Sequence, residues 1–211
     1  VELIEVPNPE QRAKYAVVKP ELVTICGSDL REVYSLPREE YPLSAGLSGH
    51  EIVGRVISLD SSAINSQSIA VGDRVLALAP RLNGMAEKIA VPLSDLILLR
   101  DGMKTESLIL AQQLGTVIYA CQKIGNVVGK HAVVIGQGSA GLFFTAMLRR
   151  LGAARITVSD LSDARMKMAL KLGADAAFNG QIEDPLERAA SFKDGSMADL
   201  VVEAAGEPDS V

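Results

Sequence analysis

The sequence predicts an α/β chain in two parts: a β-rich domain over residues 1–113, then a doubly wound parallel-sheet domain over residues 114–211. Three observations carry this. Up to about Gln113 the chain reads as short apolar strands cut by turn residues. From Leu114 strands alternate with helix-length amphipathic runs, as β-α-β units do. A glycine-rich turn then joins a strand to a helix at Gly136–Gly141. A length of 211 residues suits two small domains.

In the first part, strands are expected over Ala16–Val18, Glu51–Leu59, Arg74–Leu78 and Lys88–Val91, with Gly72-Asp73 and Asn83-Gly84 as turns. The polar stretch Asp60–Ser68 reads as a loop within that domain, because its Ser and Asn side chains compete for backbone hydrogen bonds. In the second part His131–Ile135 reads as a buried strand. Ser139–Leu151 follows as a helix stopped by Gly152, since Leu142, Ala146, Met147 and Leu151 recur at helical spacing. A strand at Arg155–Ser159 leads to a helix over Asp163–Leu172, which Ser162 could cap and Gly173 could end. Ala174–Phe178 and Leu200–Ala204 supply two more strands. The start at Val1 and the stop just after an apolar strand-like run give the expectation of a fragment.

Composition narrows the function. With 48% hydrophobic and 22% charged residues the chain can bury a core. A formal net charge of −5 and no basic block argue against nucleic acid. No apolar run approaches the roughly 18 residues that span a bilayer, so no membrane partner is expected. Two cysteines are too few for a disulfide framework, which makes a reducing cytoplasm the default.

Gly136-Gln137-Gly138-Ser139-Ala140-Gly141 is the G-x-G-x-x-G pattern in the context that gives it force, after a strand and before a helix. Its glycines allow a tight turn, close approach of a pyrophosphate, and packing of helix on strand, while the helix N-terminus attracts phosphate. Asp160 lies at the end of the next strand, 19 residues beyond Gly141. A carboxylate there accepts hydrogen bonds from the adenosine ribose and repels a 2′-phosphate, which favours NAD over NADP; the nearby cation Arg165 is the counter-argument.

A second set gathers a thiol, an imidazole and oxygen-bearing side chains: Cys26-Gly27-Ser28-Asp29 in a turn-like segment, and Gly49-His50-Glu51 opening a strand. Thiolate and imidazole suit a catalytic zinc with an open position. A buried free cysteine and a core histidine would look the same at this level. His131 reads as a surface residue at a solvent-facing turn, Cys121 as packing on a helical run, and Lys167 with Lys171 as a solvated helix face.

Taken in order, Ile25–Asp29, Gly49–Glu51, Val71–Val75, Gly84–Glu87, Gly136–Gly141 and Val202–Gly206 resemble the medium-chain, zinc-dependent alcohol dehydrogenase family over nearly the whole chain. The resemblance implies a GroES-like β domain holding a catalytic zinc and a Rossmann domain holding a nicotinamide dinucleotide, here without its C-terminal part. It makes Cys26 and His50 zinc ligands and catalytic residues, Asp29 the group orienting His50, and Ser28 the proton relay. Gly136, Gly138, Ser139, Ala140 and Gly141 would hold the pyrophosphate, Asp160 and Arg165 the ribose, and Thr116 the nicotinamide end, with Gly206 passing close to the cofactor. The implied reaction transfers hydride between a primary or secondary alcohol, or a polyol, and NAD.

Three departures from the family pattern shape the expectations. The third ligand is usually Glu or Cys, and Gln112 stands at its position. A neutral amide there leaves the site with a net positive charge, so Glu51 is expected to serve as the anionic third ligand. Arg31 replaces a frequent histidine of the proton relay. The four-cysteine loop of a second, structural zinc is absent, which implies one zinc at most. The family is usually dimeric or tetrameric, so a homo-oligomer acting on a small alcohol or carbonyl compound is expected. The alternatives are a zinc-free quinone- or enoyl-type reductase using NADPH, and a dinucleotide-binding protein without catalysis.

Overall fold

A computed structural model describes residues 2–60, 68–78, 83–100, 102–184, 187–188 and 197–206. The chain divides into two compact units, Val1–Gln112 and Gln113–Val211. Within the described residues no helix is long and apolar enough to cross a membrane. Most of the loop expected over Asp60–Ser68 lies outside the described residues.

The first unit is built on strands β1 (Tyr15–Thr24), β2 (Glu51–Leu59), β3 (Arg74–Ala77), β4 (Ile89–Pro92) and β5 (Leu96–Leu98). They form one antiparallel sheet in the order β4-β1-β2-β3-β5. Alternate side chains Ala16, Val18, Ile52, Val56, Val75, Ala77, Ile89 and Val91 share one buried cluster, the period-2 pattern of a sheet with one face on its core. β1 runs six residues beyond the expected Val18, straight through Pro20. The pairing of β1 with β2 absorbs the proline by shifting register between Pro20 and Leu22. This extension matters because it sets Thr24 directly opposite Glu51.

Helix α1 (Gly27–Tyr34) follows β1 at once, so Cys26 to Asp29 is a helix start and not only a turn. Two further helices, α2 (Thr105–Leu108) and α3 (Leu110–Ile124), come next. α3 is continuous through Gln112 and Gln113, so the change from β-rich to alternating sequence is carried by a helix and needs no linker.

The second unit comprises β6 (His131–Ile135), α4 (Ser139–Arg150), β7 (Arg155–Ser159), α5 (Asp163–Leu172), β8 (Ala176–Phe178) and β9 (Leu200–Glu203). All strand pairs are parallel, in the order β8-β7-β6-β9. The chain steps outward from β6 to β8 and then crosses back to place β9 on the other side of β6. Ligands of such sheets bind outside the carboxyl ends of the strands at this reversal. Val134, Ile156, Val158 and Val202 from the sheet bury against Leu148 of α4 and Ala169 of α5.

Local side-chain bonds trim several expected ends. Ser162 is the N-cap residue of α5, yet its side chain makes no capping bond; its own N–H donates to Asp160 Oδ1 at 2.8 Å. Gly173 ends α5 in the left-handed region at φ +117°. Asp175 lies just before β8, where its N–H donates to Ile156 O at 2.8 Å, its Oδ2 accepts the Ile156 N–H at 2.7 Å, and its carboxylate pairs with Arg149. His131 is not a surface residue: it is 3% exposed, with Nε2 3.1 Å from Thr157 Oγ1. β6 is a central strand, and its first residue is covered by neighbours that local sequence does not name.

Candidate metal centre and dinucleotide loop

The end of β1 and the start of β2 bring the metal candidates together. Because Thr24 pairs with Glu51, Cys26 lies two residues past one strand end while His50 immediately precedes the other strand. One ligand atom from each of Cys26, His50 and Glu51 lies within 4.8 Å of the others. Cys26 occupies the N-cap of α1.

Asp29 organises this group from beneath. It is 3% exposed. Its Oδ2 accepts the Cys26 N–H at 2.7 Å, and Oδ1 accepts the Gly49 N–H at 3.1 Å. The same Oδ1 lies 3.2 Å from His50 Nδ1. Burial pushes the Asp29 carboxyl up, but the Ser48 side chain, the Cys26 and Gly49 amides and the His50 ring outweigh it. The net effect holds Asp29 below the ordinary aspartate range. With Nδ1 turned to Asp29, Nε2 of His50 is the nitrogen left for a metal.

Gly49 is held at φ +77°, and the Gly84 N–H donates to Ser48 O at 3.0 Å and Gly49 O at 3.2 Å. A Cβ on Gly84 would meet Gly49 O at 2.2 Å, so only glycine lets this turn grip the segment that presents His50. Ser28 is exposed in the first turn of α1. Gln112 is half-buried in the first turn of α3, and Thr116 is exposed one turn further on.

In the second unit the three motif glycines have distinct surroundings. Gly136 turns the chain at φ +83°, and a Cβ there would meet Ala205 N at 2.6 Å. A Cβ on Gly141 would lie 1.9 Å from Gly136 O, so α4 can pack on the turn only without one. Gly138, the N-cap of α4, has open space where a Cβ would stand. The first-turn amides of Ser139, Ala140 and Gly141 follow it.

Asp160 is drawn into this loop: Oδ2 accepts the Gln137 N–H at 2.6 Å and lies 3.8 Å from Arg165 Nη1. Gly206 lies just past β9, where its N–H donates to Glu203 Oε1 at 2.9 Å. The sequence did not single out Gln137 as a structural residue. It is fully buried, donates to Val134 O and Gly136 O, and accepts from Thr145 Oγ1 at 2.9 Å. Thr24 and Ser48 were missed too. Thr24 meets Glu51 through the β1 and β2 register, and Ser48 reaches Asp29 of α1 from the segment before β2, so neither has a local signal.

Residues 12–105 match the model of the alcohol dehydrogenase GroES-like domain, and residues 140–211 match that of the zinc-binding dehydrogenase. The chain belongs to the medium-chain, zinc-dependent alcohol dehydrogenase family. It is 31% identical to an uncharacterized zinc-type alcohol dehydrogenase-like protein of Haemophilus influenzae, over 96% of this chain and 65% of that one. An L-threonine 3-dehydrogenase of Caldanaerobacter subterraneus subsp. tengcongensis is 29% identical, over 92% of this chain and 63% of its own. An alcohol dehydrogenase structure from Thermus sp. ATN1 superposes with a TM-score of 0.82 at 26% identity, over 97% of this chain and 67% of that one. The chain thus spans about 65% of the length of the first of these relatives.

Membership in the alcohol dehydrogenase family implies zinc and a nicotinamide dinucleotide, and the residues present fit both. Glu51 is 8% exposed, and no salt bridge among the described residues reaches it. A buried carboxylate beside a thiol and an imidazole calls for a cation. The open space at Gly138, at the N-terminus of α4, suits a pyrophosphate.

Proposed function

We propose that the protein carrying this chain is an NAD-dependent dehydrogenase with one catalytic zinc, oxidising a primary or secondary alcohol or a polyol and reducing the carbonyl compound in reverse. The observation that carries the reading is the Cys26, His50 and Glu51 cluster, with Asp29 Oδ1 3.2 Å from His50 Nδ1. When bound, the zinc supplies Lewis-acid polarisation of the alcohol oxygen and the nicotinamide supplies the hydride acceptor.

Cys26 and His50 hold the metal, and Glu51 adds the second negative charge that the neutral Gln112 does not bring. Asp29 keeps a proton on Nδ1, so that Nε2 presents its lone pair. Ser28, exposed and two residues from Cys26, takes up the hydroxyl proton and passes it to solvent. In the second unit Gly136, Gly138 and the amides of Ser139, Ala140 and Gly141 bind the pyrophosphate. Asp160 accepts from the ribose hydroxyls and repels a 2′-phosphate, with Arg165 flanking it, which favours NAD over NADP. Thr116 serves the nicotinamide end, and Gly206 passes close to the cofactor. The stretch between Val75 and Ala86 carries no cysteine, which supports one zinc in this reading. Both cysteines are free, in keeping with a reducing cytoplasm. A homo-oligomer, dimer or tetramer, is part of this reading.

The test is zinc content of the full-length protein after exhaustive dialysis, together with NAD reduction across a panel of alcohols and polyols. About one zinc per chain, lost in Cys26→Ala and His50→Ala, supports the proposal. Gln112 favours a second reading, a zinc-free reductase delivering hydride from NADPH to conjugated carbonyls. Folded, dinucleotide-binding protein without zinc would select it.

A further inference from the structure

Glu51 is the first residue of β2, and Thr24, the last of β1, stands directly opposite it in the antiparallel pair. The Thr24 hydroxyl donates to Glu51 Oε2. Cross-strand threonine bonds are common and of small effect on exposed sheets. This one differs in three respects. Its acceptor is a buried carboxylate with no salt-bridge partner among the described residues. The acceptor's neighbours are the Cys26 thiol and the His50 ring. And the position that the family normally fills with an anionic ligand carries Gln112, so the charge balance of the site falls on Glu51.

We infer that Thr24 is a positioning residue of the metal centre: its hydroxyl occupies Oε2 and so holds the Glu51 carboxylate with Oε1 free to act as the anionic third ligand beside Cys26 and His50. A carboxylate has lone pairs enough for both partners. Without the hydroxyl the side chain regains its rotamers, and each metal-binding event must order it again. The same pairing explains how two strands deliver a complete donor set. The Thr24 and Glu51 register fixes the two strand ends, and the ligands Cys26 and His50 lie next to those ends. No proton or electron moves in this step; the hydroxyl only directs a lone pair.

This inference rests on the zinc reading above, and the experiment separates the two. Zinc affinity of the full-length protein is measured by competition with a chromophoric chelator, for wild type, Thr24→Val, Thr24→Ser, Glu51→Gln and Thr24→Val with Glu51→Gln. Valine keeps the β-branched shape and the strand, and folding is checked by circular dichroism. Thr24→Val is expected to bind zinc about tenfold or more weakly, within the range for residues that orient ligands. Thr24→Ser is expected to stay near wild type, and the double variant to be no weaker than Glu51→Gln alone. The cobalt(II) derivative adds a readout independent of turnover: the d–d spectrum should change in Thr24→Val and return in Thr24→Ser. Zinc affinity unchanged in Thr24→Val, or weakening that adds in full to that of Glu51→Gln, overturns the role of Thr24 and leaves the zinc reading standing. Wild-type protein that binds no zinc overturns both. Should Thr24→Val fail to fold, Thr24→Ser decides against Thr24→Ala by the same measurements.

Discussion

Replacing Asp29 by asparagine changes almost no volume, and the geometry still forbids it from being silent. Oδ2 accepts one amide, from Cys26 at 2.7 Å, and Oδ1 faces a second, from Gly49 at 3.1 Å, and the His50 Nδ1 at 3.2 Å. An amide side chain has one acceptor and one donor end. With its NH2 toward Cys26, two donors confront each other. Turned round, it confronts the Gly49 N–H, and His50 can relieve the clash at Nδ1 only by moving its proton to Nε2, the nitrogen a metal needs. Either way one buried N–H loses its acceptor, at a cost of about 1–3 kcal/mol. Taking about 2 kcal/mol and the roughly 2–4 °C per kcal/mol of a chain this long, Asp29→Asn should melt roughly 4–8 °C below wild type. Zinc affinity should fall about 10- to 100-fold, as for other residues that orient ligands. Differential scanning calorimetry and chelator competition on the same samples give both numbers. A melting temperature within about 1 °C of wild type with unchanged zinc affinity would refute the argument that Asp29 holds Cys26, Gly49 and His50 in place.

Further outcomes follow from other sites. Gly138→Ala should fold as well as wild type, because the added methyl meets nothing and the backbone at φ −65° accepts it, yet bind dinucleotide at least about tenfold more weakly by calorimetric titration. Gly141→Ala, whose methyl would lie 1.9 Å from Gly136 O, should lose stability and binding together; equal behaviour of the two variants would contradict their assigned roles. Arg149→Ala removes bonds to Gly173 O and Ala153 O, each 2.9 Å, and the pair with Asp175, and should destabilise the protein by about 2 kcal/mol in urea without changing zinc content. Cys121 is buried, and burial pushes its thiol above the usual value of 9.0. Its thiolate is scarce at neutral pH, so alkylation read by mass spectrometry should be slow there and still accelerate above pH 9.0.

Several features were legible because their causes are local. The strand, glycine turn and helix around Gly136–Gly141 carry their own signals in periodicity and in residues that tolerate special backbone geometry, and they form as β6, the turn and α4. The left-handed stop at Gly173 is of the same kind. Other features depend on partners distant in sequence. Pro20 argues locally for ending β1, but pairing with β2 carries the strand on to Thr24. His131 opens its strand at what reads as a surface turn and is buried because two strands flank β6.

The sequence by itself determined the architecture, the glycine turn between β6 and α4 and the residue types able to hold a metal, since each follows from spacing along one segment and from the chemistry of single side chains. The sequence also raised Glu51 as a partner of Cys26 and His50, but only tertiary structure brings one ligand atom of each within 4.8 Å of the others, lets Asp29 hold the Cys26 and Gly49 amides at once, and lets Thr24 reach Glu51. The contacts that join β1 and α1 to the start of β2 span 20 or more residues, and they exist only once the β1 and β2 register is set. A shift of one residue in that register would turn every side chain of β2 to the opposite face, which no local pattern around Glu51 could disclose.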